Sequence, residues 1–193
     1  LLKVDHAGFD YSPELGVQGR TGATWVFGEL RYGRLHPSSS DLYRDSVELY
    51  GYAVRRQADG ALESARIAPV WVGETKSGWG WRISPRTSHE DLTDSFELAP
   101  DVAIPAGTYR YTWLKSELWT PSGSSFSGSL ALQLGEFYDG SFASIGIGST
   151  FRPASSLDLS GSVELTRARV PEGRPDLDSR IYRIRALYMF STR

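Results

Sequence analysis

Histidine is the first residue type to consider for chemistry in this chain, because neutral imidazole is the commonest metal ligand in proteins. The three histidines, His6, His36 and His89, lie far apart. None of them has a partner at the i+2 or i+4 spacing of a metal site. The chain has no cysteine, which excludes disulfides, thiolate metal sites and cysteine nucleophiles. The sequence therefore predicts no metal site and no cofactor.

Patterns for catalysis are equally weak. Asp158 and Glu164 share one face of an alternating segment, and paired carboxylates can hydrolyse glycosides. Six residues of strand would place them roughly 20 Å apart, about twice the widest spacing that this chemistry allows. The runs 146–148 (GIG) and 78–80 (GWG) resemble pieces of a phosphate-binding loop, but neither precedes a helix. Since no G-x-S-x-G elbow is present either, the sequence predicts no catalytic residues and a protein that is not an enzyme.

Arginine is the one charged residue type that clusters. In the last predicted hairpin these side chains could line a lumen, bind lipopolysaccharide phosphate, or pair with Glu164 and its neighbours. Pairing is the favoured interpretation, since arginines opposed by carboxylates commonly fill barrel interiors. The cluster consists of Arg167, Arg169, Arg174, Arg180, Arg183 and Arg185.

Alternation of apolar and polar residues between 126 and 166 shows which elements carry these groups. A period of two predicts strands with one apolar and one polar face. The polar positions hold small residues instead of the lysines of a soluble sheet, which is typical of a barrel with lipid outside and water inside. The apolar positions are Phe126, Leu130, Leu132, Leu134, Ile145, Ile147, Phe151, Leu157, Leu159, Val163 and Leu165, and the polar ones include Ser127, Ser129, Gln133, Gly146, Gly148, Thr150, Asp158, Ser160, Ser162 and Glu164.

Composition limits the remaining functional classes. The 193 residues predict one domain, and a net charge of −2 with scattered Lys and Arg indicates no nucleic-acid partner. No run of 18 apolar residues exists, so a helical membrane span is not expected. The mean hydropathy of −0.32 does not count against a membrane barrel, because each of its strands is only half apolar. The absence of cysteine also fits an exported bacterial protein.

Turn residues recur often enough to divide the chain into long strands. Their length, roughly 10 to 15 residues, suits tilted strands that cross a bilayer. Many aromatic residues fall near predicted strand ends, where an interfacial girdle would lie. Strands are predicted over 23–35, 43–57, 61–75, 77–87, 107–120, 124–137, 142–152, 156–169 and 180–192, with a further one in the first 20 residues.

Two hairpin registers can be predicted. Asp139 and Gly140 form a two-residue signal for a type I′ turn, which needs positive φ at both positions. The last hairpin is predicted with Arg169 opposite Arg180, so that Glu164 faces Arg185. The first register pairs Leu134 with Ile145, Leu132 with Ile147 and Gly128 with Phe151; the second pairs Leu165 with Ile184, Val163 with Ala186, Gly161 with Tyr188 and Leu159 with Phe190, with the apolar residues of both on the lipid face.

Five segments resemble, in order, one known family: 103–110 (AIPAGTYR), 135–140 (GEFYDG), 151–159 (FRPASSLDL), 170–174 (VPEGR) and 185–192 (RALYMFST). The chain resembles the C-terminal barrel domain of a bacterial outer-membrane family of unknown function, whose full-length members are similar to a family-nine carbohydrate-binding module joined to a barrel. The match is good over about residues 90–193 and looser before them. It implies an outer-membrane location, and carbohydrate as a partner only through an N-terminal module that these residues do not contain.

The sequence thus predicts an all-β protein, an antiparallel transmembrane β-barrel, with residues 1–193 forming a single segment of about 8 to 10 strands of a larger up-and-down barrel. We expect further strands before and after it. The expected role is a non-catalytic pore, importer or membrane anchor in the outer membrane of a Gram-negative bacterium, with outer-membrane lipid as its partner. The alternatives are a soluble carbohydrate-binding β-sandwich, and a hydrolase or other carbohydrate-active protein whose barrel presents an active-site loop.

Overall fold

The computed structural model describes residues 1–8, 22–99, 102–170 and 176–190, and within them every regular element is a β-strand. No helix in these ranges is long and apolar enough to cross a membrane. The strands are β1 Leu2–Ala7, β2 Ala23–Leu35, β3 Leu42–Arg56, β4 Leu62–Thr75, β5 Gly80–Leu92, β6 Phe96–Ala99, β7 Val102–Ile104, β8 Gly107–Trp119, β9 Phe126–Phe137, β10 Gly140–Ala154, β11 Leu157–Arg169 and β12 Leu177–Tyr188.

Ten of these strands form one antiparallel sheet, in the order β1-β2-β3-β4-β5-β8-β9-β10-β11-β12. Each strand is therefore hydrogen-bonded to its neighbour in the chain, except where the short β6-β7 hairpin is inserted between β5 and β8. Such an up-and-down arrangement arises when consecutive strands are joined by short turns. The all-β, antiparallel fold predicted from alternation is confirmed.

The predicted strand positions are close to the observed ones. The strand predicted over 23–35 coincides with Ala23–Leu35, and most others differ by up to three residues at an end. The strand predicted over 77–87 begins later and continues to Leu92. Strands β6 and β7 were not predicted, because Pro100 and Gly107 mark this stretch as a turn. Of the first 20 residues, only Leu2–Ala7 is an observed strand, and residues 9–21 lie outside the described ranges.

The described strands do not close into a barrel by themselves, and the sequence predicted only a segment of a larger barrel. In the described residues β1 pairs with β2 alone and β12 with β11 alone, so both are edge strands of an open sheet. A barrel closes only when its first and last strands exchange backbone hydrogen bonds. The described part of the chain therefore forms an open wall and not a complete barrel.

The two faces of the sheet differ in chemistry as predicted. Ile145, Ile147 and Phe151 of β10 are exposed, whereas the residues that point to the opposite side, such as Gly146 and Thr150, are less so. Cross-strand partners share a face, and the register sets Leu132 beside Ile145 on the same side. We call this side the apolar face and the opposite side the polar face. The apolar face includes Val26, Leu30, Val47, Leu49, Ile67, Trp71, Ile83, Leu114, Leu118, Leu130, Leu132, Leu134, Val163, Leu165, Tyr182 and Ile184.

The β9-β10 turn lies one residue earlier than predicted. Its two central residues are Tyr138 and Asp139, and only Tyr138 has a positive φ, of 52°. The predicted type I′ turn is therefore wrong. Gly140 is instead needed because a Cβ there would collide with the carbonyl oxygen of Arg169 on β11.

Moving this turn changes the pairs but not the faces. Leu134 and Ile145 share the apolar face as predicted, yet Leu134 pairs with Ala143. The partner of each β9 residue is displaced by two positions, and an even displacement keeps every side chain on its face. The physical gain is better apolar pairing, because Phe151 meets Phe126 instead of a glycine. The observed apolar pairs are Leu132 with Ile145, Leu130 with Ile147 and Phe126 with Phe151.

The last hairpin is displaced by four positions from its prediction. Arg180 pairs with Leu165 and not with Arg169, and Gly161 pairs with Ile184 and not with Tyr188. The faces are again preserved, since four is even. The turn chemistry gives no fixed register here, because the connection after Val170 is long and polar.

Candidate functional site

The histidines do not meet. The Nδ1 of His6 is 2.8 Å from the Thr24 hydroxyl, and the Nε2 of His36 is 2.7 Å from Asp45 Oδ1. The ring of His89 contacts the carbonyl of Leu62 at 3.3 Å. Within the described ranges no three His, Cys, Asp or Glu residues lie close enough together to hold a metal ion. Each ring thus has a local hydrogen-bonding partner on its own strand pair or turn.

The two carboxylates considered for glycoside hydrolysis belong to separate ion pairs. Asp158 binds the guanidinium of Arg152 at 3.1 Å, and Glu164 lies 3.7 Å from Arg183. Glu164 faces Ile181 directly, and Arg185 faces Ser160. The predicted partner Arg185 is therefore wrong, although Glu164 and Arg185 do share the polar face. The prediction that Glu164 pairs with an arginine of this cluster is confirmed with Arg183.

The arginine cluster of the last hairpin is divided between the two faces. Arg183 and Arg185 lie on the polar face, whereas Arg167, Arg169 and Arg180 lie on the side of Leu165. Arg167 pairs with Asp176 at 2.7 Å and lies 3.7 Å from Asp178. The sixth member, Arg174, falls outside the described residues. A single arginine-lined surface at this hairpin is therefore not formed.

Aromatic side chains occur in two groups. One group is exposed near the strand ends that the turns 36–41, 76–79, 120–125 and 155–156 connect, so these rings lie close to strand ends as predicted. A second group lies on the polar face of the sheet. The first group is Tyr32, Tyr43, Trp71, Trp79, Phe126, Phe151 and Tyr188; the second includes Tyr111, Trp113, Trp119 and Phe142.

Charged residues form a connected row across the polar face of the first half of the sheet. The carboxylate of Glu48, which is only 8% exposed, accepts from Arg31 at 2.9 Å and lies 3.7 Å from Arg82. Arg82 continues to Glu117 at 3.8 Å, and Lys115 binds Glu117 at 2.8 Å. We call these five residues the charge ladder. The charges alternate in sign along the row, so each of the three cations contacts at least one of the two carboxylates.

The β6-β7 hairpin folds over the polar face instead of projecting from the sheet edge. The ring of Phe96 on β6 packs edge-on against Tyr138, with centroids 5.7 Å apart. Val102 and Ile104 on β7 are 0% and 1% exposed. The hydroxyl of Tyr109 on β8 donates to the Pro105 carbonyl at 2.9 Å and anchors the end of the hairpin.

Beneath this hairpin lies an aromatic cluster. Tyr138 contacts Tyr109 and Tyr111 at centroid distances of 5.1 and 5.3 Å. Tyr111 stacks on Trp113 at 5.6 Å, with 24° between the ring planes. These ring contacts accompany the left-handed conformation of Tyr138 in the turn, where φ is 52°. Hairpin and cluster together make a small apolar core on an otherwise polar face.

A cavity of about 460 Å³ opens beside this core. Its volume lies within the range of small-molecule sites, roughly 300–1,000 Å³. Aromatic rings and Leu98 of β6 form the apolar wall, and an amide and two hydroxyl side chains form a polar one. The lining residues are Arg66, Leu98, Tyr111, Trp113, Gln133, Phe137, Phe142, Thr166, Ala168, Leu177 and Ser179.

Two arginines approach this cavity without a carboxylate partner among the described residues. The guanidinium of Arg66 lies over the Trp113 ring, 4.9 Å from its centroid, and its Nε donates to the Ser88 hydroxyl at 3.0 Å. Arg86 faces Trp113 directly in the β5-β8 register, and its Nε donates to Ser84 at 3.3 Å. Both serines are almost fully buried. The cavity therefore has one half-buried positive charge in its lining, Arg66, and a second on the neighbouring strand, Arg86.

Sequence reasoning missed this site. A signal was present, because Arg66 and Arg86 occupy polar-face positions in alternating strands, as do Tyr111 and Trp113. Their convergence depends on the inward fold of the β6-β7 hairpin, which no local pattern indicated.

Compared with protein-family models, with curated proteins and with solved structures, the chain matches none of them.

Proposed function

We propose that this chain forms the wall of a transmembrane β-barrel in a bacterial outer membrane, and acts as a pore, importer or membrane anchor rather than as a catalyst. One observation carries the proposal. One face of the sheet exposes many large apolar side chains, whereas the opposite face buries several polar ones, which inverts the arrangement of a soluble protein.

The inversion is large at individual positions. Ile184 is 93% and Leu30 69% exposed, whereas Ser84, Ser88 and Glu48 are among the most buried side chains. A soluble sheet would place the apolar residues in its core, and the charges in water. Lipid would remove the exposed apolar surface from water, and the other face would line an aqueous lumen.

The dimensions and edges of the sheet support the same proposal. Its long strands contain 12 to 15 residues, more than the roughly 9 to 11 needed to cross a bilayer at a tilt. Exposed aromatic rings lie in a row near one set of strand ends, as interfacial girdles do. The longer β6-β7 insertion lies at the opposite set of strand ends, and barrels place their longer loops outside the cell.

A soluble carbohydrate-binding sandwich fits the structure less well. In a sandwich the apolar faces of two sheets cover each other. Within the described ranges the second sheet has only two strands, β6 and β7, and it covers part of the polar face. The apolar face remains exposed. The resemblance to an outer-membrane family with a carbohydrate-binding module stays a prediction, as does any binding of carbohydrate through such a module.

The decisive experiment measures what each face contacts. The absence of cysteine allows single-cysteine variants for spin labelling without a background signal. Ile147→Cys would report from the apolar face and Gly146→Cys from the polar face at the same depth. A Cβ at Gly146 would have only an ordinary 3.7 Å contact, so this control is well tolerated.

In lipid vesicles the label at position 147 should relax mainly with oxygen, which concentrates in lipid. The label at position 146 should relax mainly with a water-soluble nickel chelate. Equal accessibility to the nickel chelate at both positions, or full solubility of the chain without detergent, would overturn the proposal.

A further inference from the structure

We propose that the cavity beneath the β6-β7 hairpin binds a small aromatic carboxylate. The inference goes beyond the wall function and does not depend on membrane insertion, because it concerns the polar face alone. Its first support is the excess of positive charge at this place.

The charge ladder shows, for comparison, how other cations on this face are paired. In the ladder each cation touches a carboxylate, with distances from 2.8 to 3.8 Å. Arg66 and Arg86 lie on the same face, and within the described ranges neither has a carboxylate oxygen within ion-pair distance of its guanidinium. Half-buried cations without a counter-ion are costly, and an anionic ligand would remove that cost.

The shape of the cavity determines the rest of the ligand. Tyr111, Trp113, Phe137 and Phe142 offer ring surfaces to a flat apolar body. Gln133, Thr166 and Ser179 can hydrogen-bond to a substituent on the opposite wall. A planar guanidinium binds a carboxylate with two parallel hydrogen bonds, which favours this anion among those of similar charge.

The side chain of Arg66 is already ordered by its contacts before such a ligand binds. Its guanidinium is stacked over Trp113 and Tyr52, at 4.9 and 5.5 Å from the ring centroids, and its Nε is fixed by Ser88. The Nε bond and the two rings leave the terminal nitrogens of the guanidinium as the donors for a ligand. Because the group is already ordered, little side-chain entropy is lost when a carboxylate binds. Arg86, the cross-strand partner of Trp113, adds a second positive charge on the same face.

The test is isothermal titration calorimetry of the full chain in a neutral detergent, with 2-naphthoate as the probe. The comparison ligand is 2-naphthol, which has the same rings and no charge at neutral pH. We expect saturable binding of naphthoate that weakens as salt is added, and at least about tenfold weaker binding of naphthol, as expected for loss of a charge-assisted hydrogen bond. Titration into detergent without protein measures partition into micelles.

Matched variants locate the site. Arg66→Gln should weaken naphthoate binding about tenfold or more and leave naphthol binding unchanged. Arg183→Gln removes the same charge from the same face, outside the cavity, and should change neither. Far-ultraviolet circular dichroism verifies that each variant keeps the β structure of the native chain.

Three results would overturn the inference: no saturable binding of naphthoate, equal affinity for naphthoate and naphthol, or equal losses in Arg66→Gln and Arg183→Gln. The last would indicate a general electrostatic effect of the face. Failure of this test would leave the spin-label result for positions 146 and 147 unaffected, so the two proposals can fail separately.

Discussion

The two halves of the sheet share one apolar face but fill their polar faces differently. In the half built from β2 to β5 and β8, the polar face carries the charge ladder, Arg66 and Arg86. In the half built from β9 to β12, small residues such as Gly148 and Ser162 leave an open cleft of about 460 Å³. The constraint on the apolar face is therefore uniform along the sheet. The side chains on the polar face differ between the two halves although the apolar face does not. This is expected if the apolar face contacts one uniform solvent and the polar face contacts specific partners.

The largest loss of stability should come from a charge placed on the apolar face, which the two halves share. Ile147→Arg places a charge in the middle of the apolar face, and in a bilayer it should lower the free energy of unfolding by about 2–4 kcal/mol. Gly146→Arg adds the same charge to the polar face and should be nearly neutral. Denaturant unfolding in lipid vesicles, followed by tryptophan fluorescence, measures both. Similar losses in the two variants would show that the faces do not differ in environment.

A second prediction concerns Gly140, which makes the tightest backbone contact among the glycines of the half built from β9 to β12. Gly140→Ala should lower the free energy of unfolding by about 1–3 kcal/mol, because its Cβ would meet the Arg169 carbonyl on β11. Gly146→Ala, in the same strand but with space for a methyl group, should change stability by less than about 0.5 kcal/mol. The same unfolding assay applies. An equal effect at the two glycines would contradict the close approach of β10 and β11.

A third prediction compares carboxylates of the two halves. Glu48→Gln should cost about 1–2 kcal/mol, because it removes a buried charge that two arginines share. Glu164→Gln should cost less than about 0.5 kcal/mol, since that ion pair is long and its carboxylate is 43% exposed. The difference should persist in high salt, which screens only the exposed pair. Equal costs would mean that the ladder contributes no more than a surface pair.

The smallest effect should come from the turn between β3 and β4. The backbone N–H of Ala61 donates to Asp59 and, together with the Arg56 guanidinium, lowers the pKa of this carboxyl below its ordinary 3.8. A lowered pKa stabilises the folded state above pH 3.8, and this contribution is lost as the pH falls through the folded-state value. Asp59→Asn should therefore be slightly less stable than the native chain at neutral pH and equally stable in acid. Unfolding curves at both pH values measure this, and a difference that persists in acid would contradict it.

Much of the fold was predictable from local pattern. Alternation placed strands such as Ala23–Leu35 and Gly107–Trp119 within a residue of their observed ends and assigned the apolar positions that it named between 126 and 165 to one side. Exact pairing was not predictable. Turn chemistry favoured Asp139 with Gly140, but packing of Tyr138 against Tyr109 and Tyr111 moved the turn by one residue. The connection after Val170 left the last register free to shift by four.

For the candidate site, too, the residue types could be read from the sequence, but their arrangement in space could not. The types of Arg66 and Trp113 are evident in the sequence, but they lie 47 positions apart, and two strand pairings together with the inward-folded β6-β7 hairpin bring them to one cavity.

The sequence by itself determined that this chain forms long antiparallel strands with an apolar and a polar face, because side-chain direction alternates with every residue and needs no distant partner. Only the tertiary structure decided which residues pair, where the polar face is filled, and that the described strands remain an open sheet. Those outcomes depend on packing between residues distant in the chain and on hydrogen bonds between strand edges, and neither is encoded in any local window of residues.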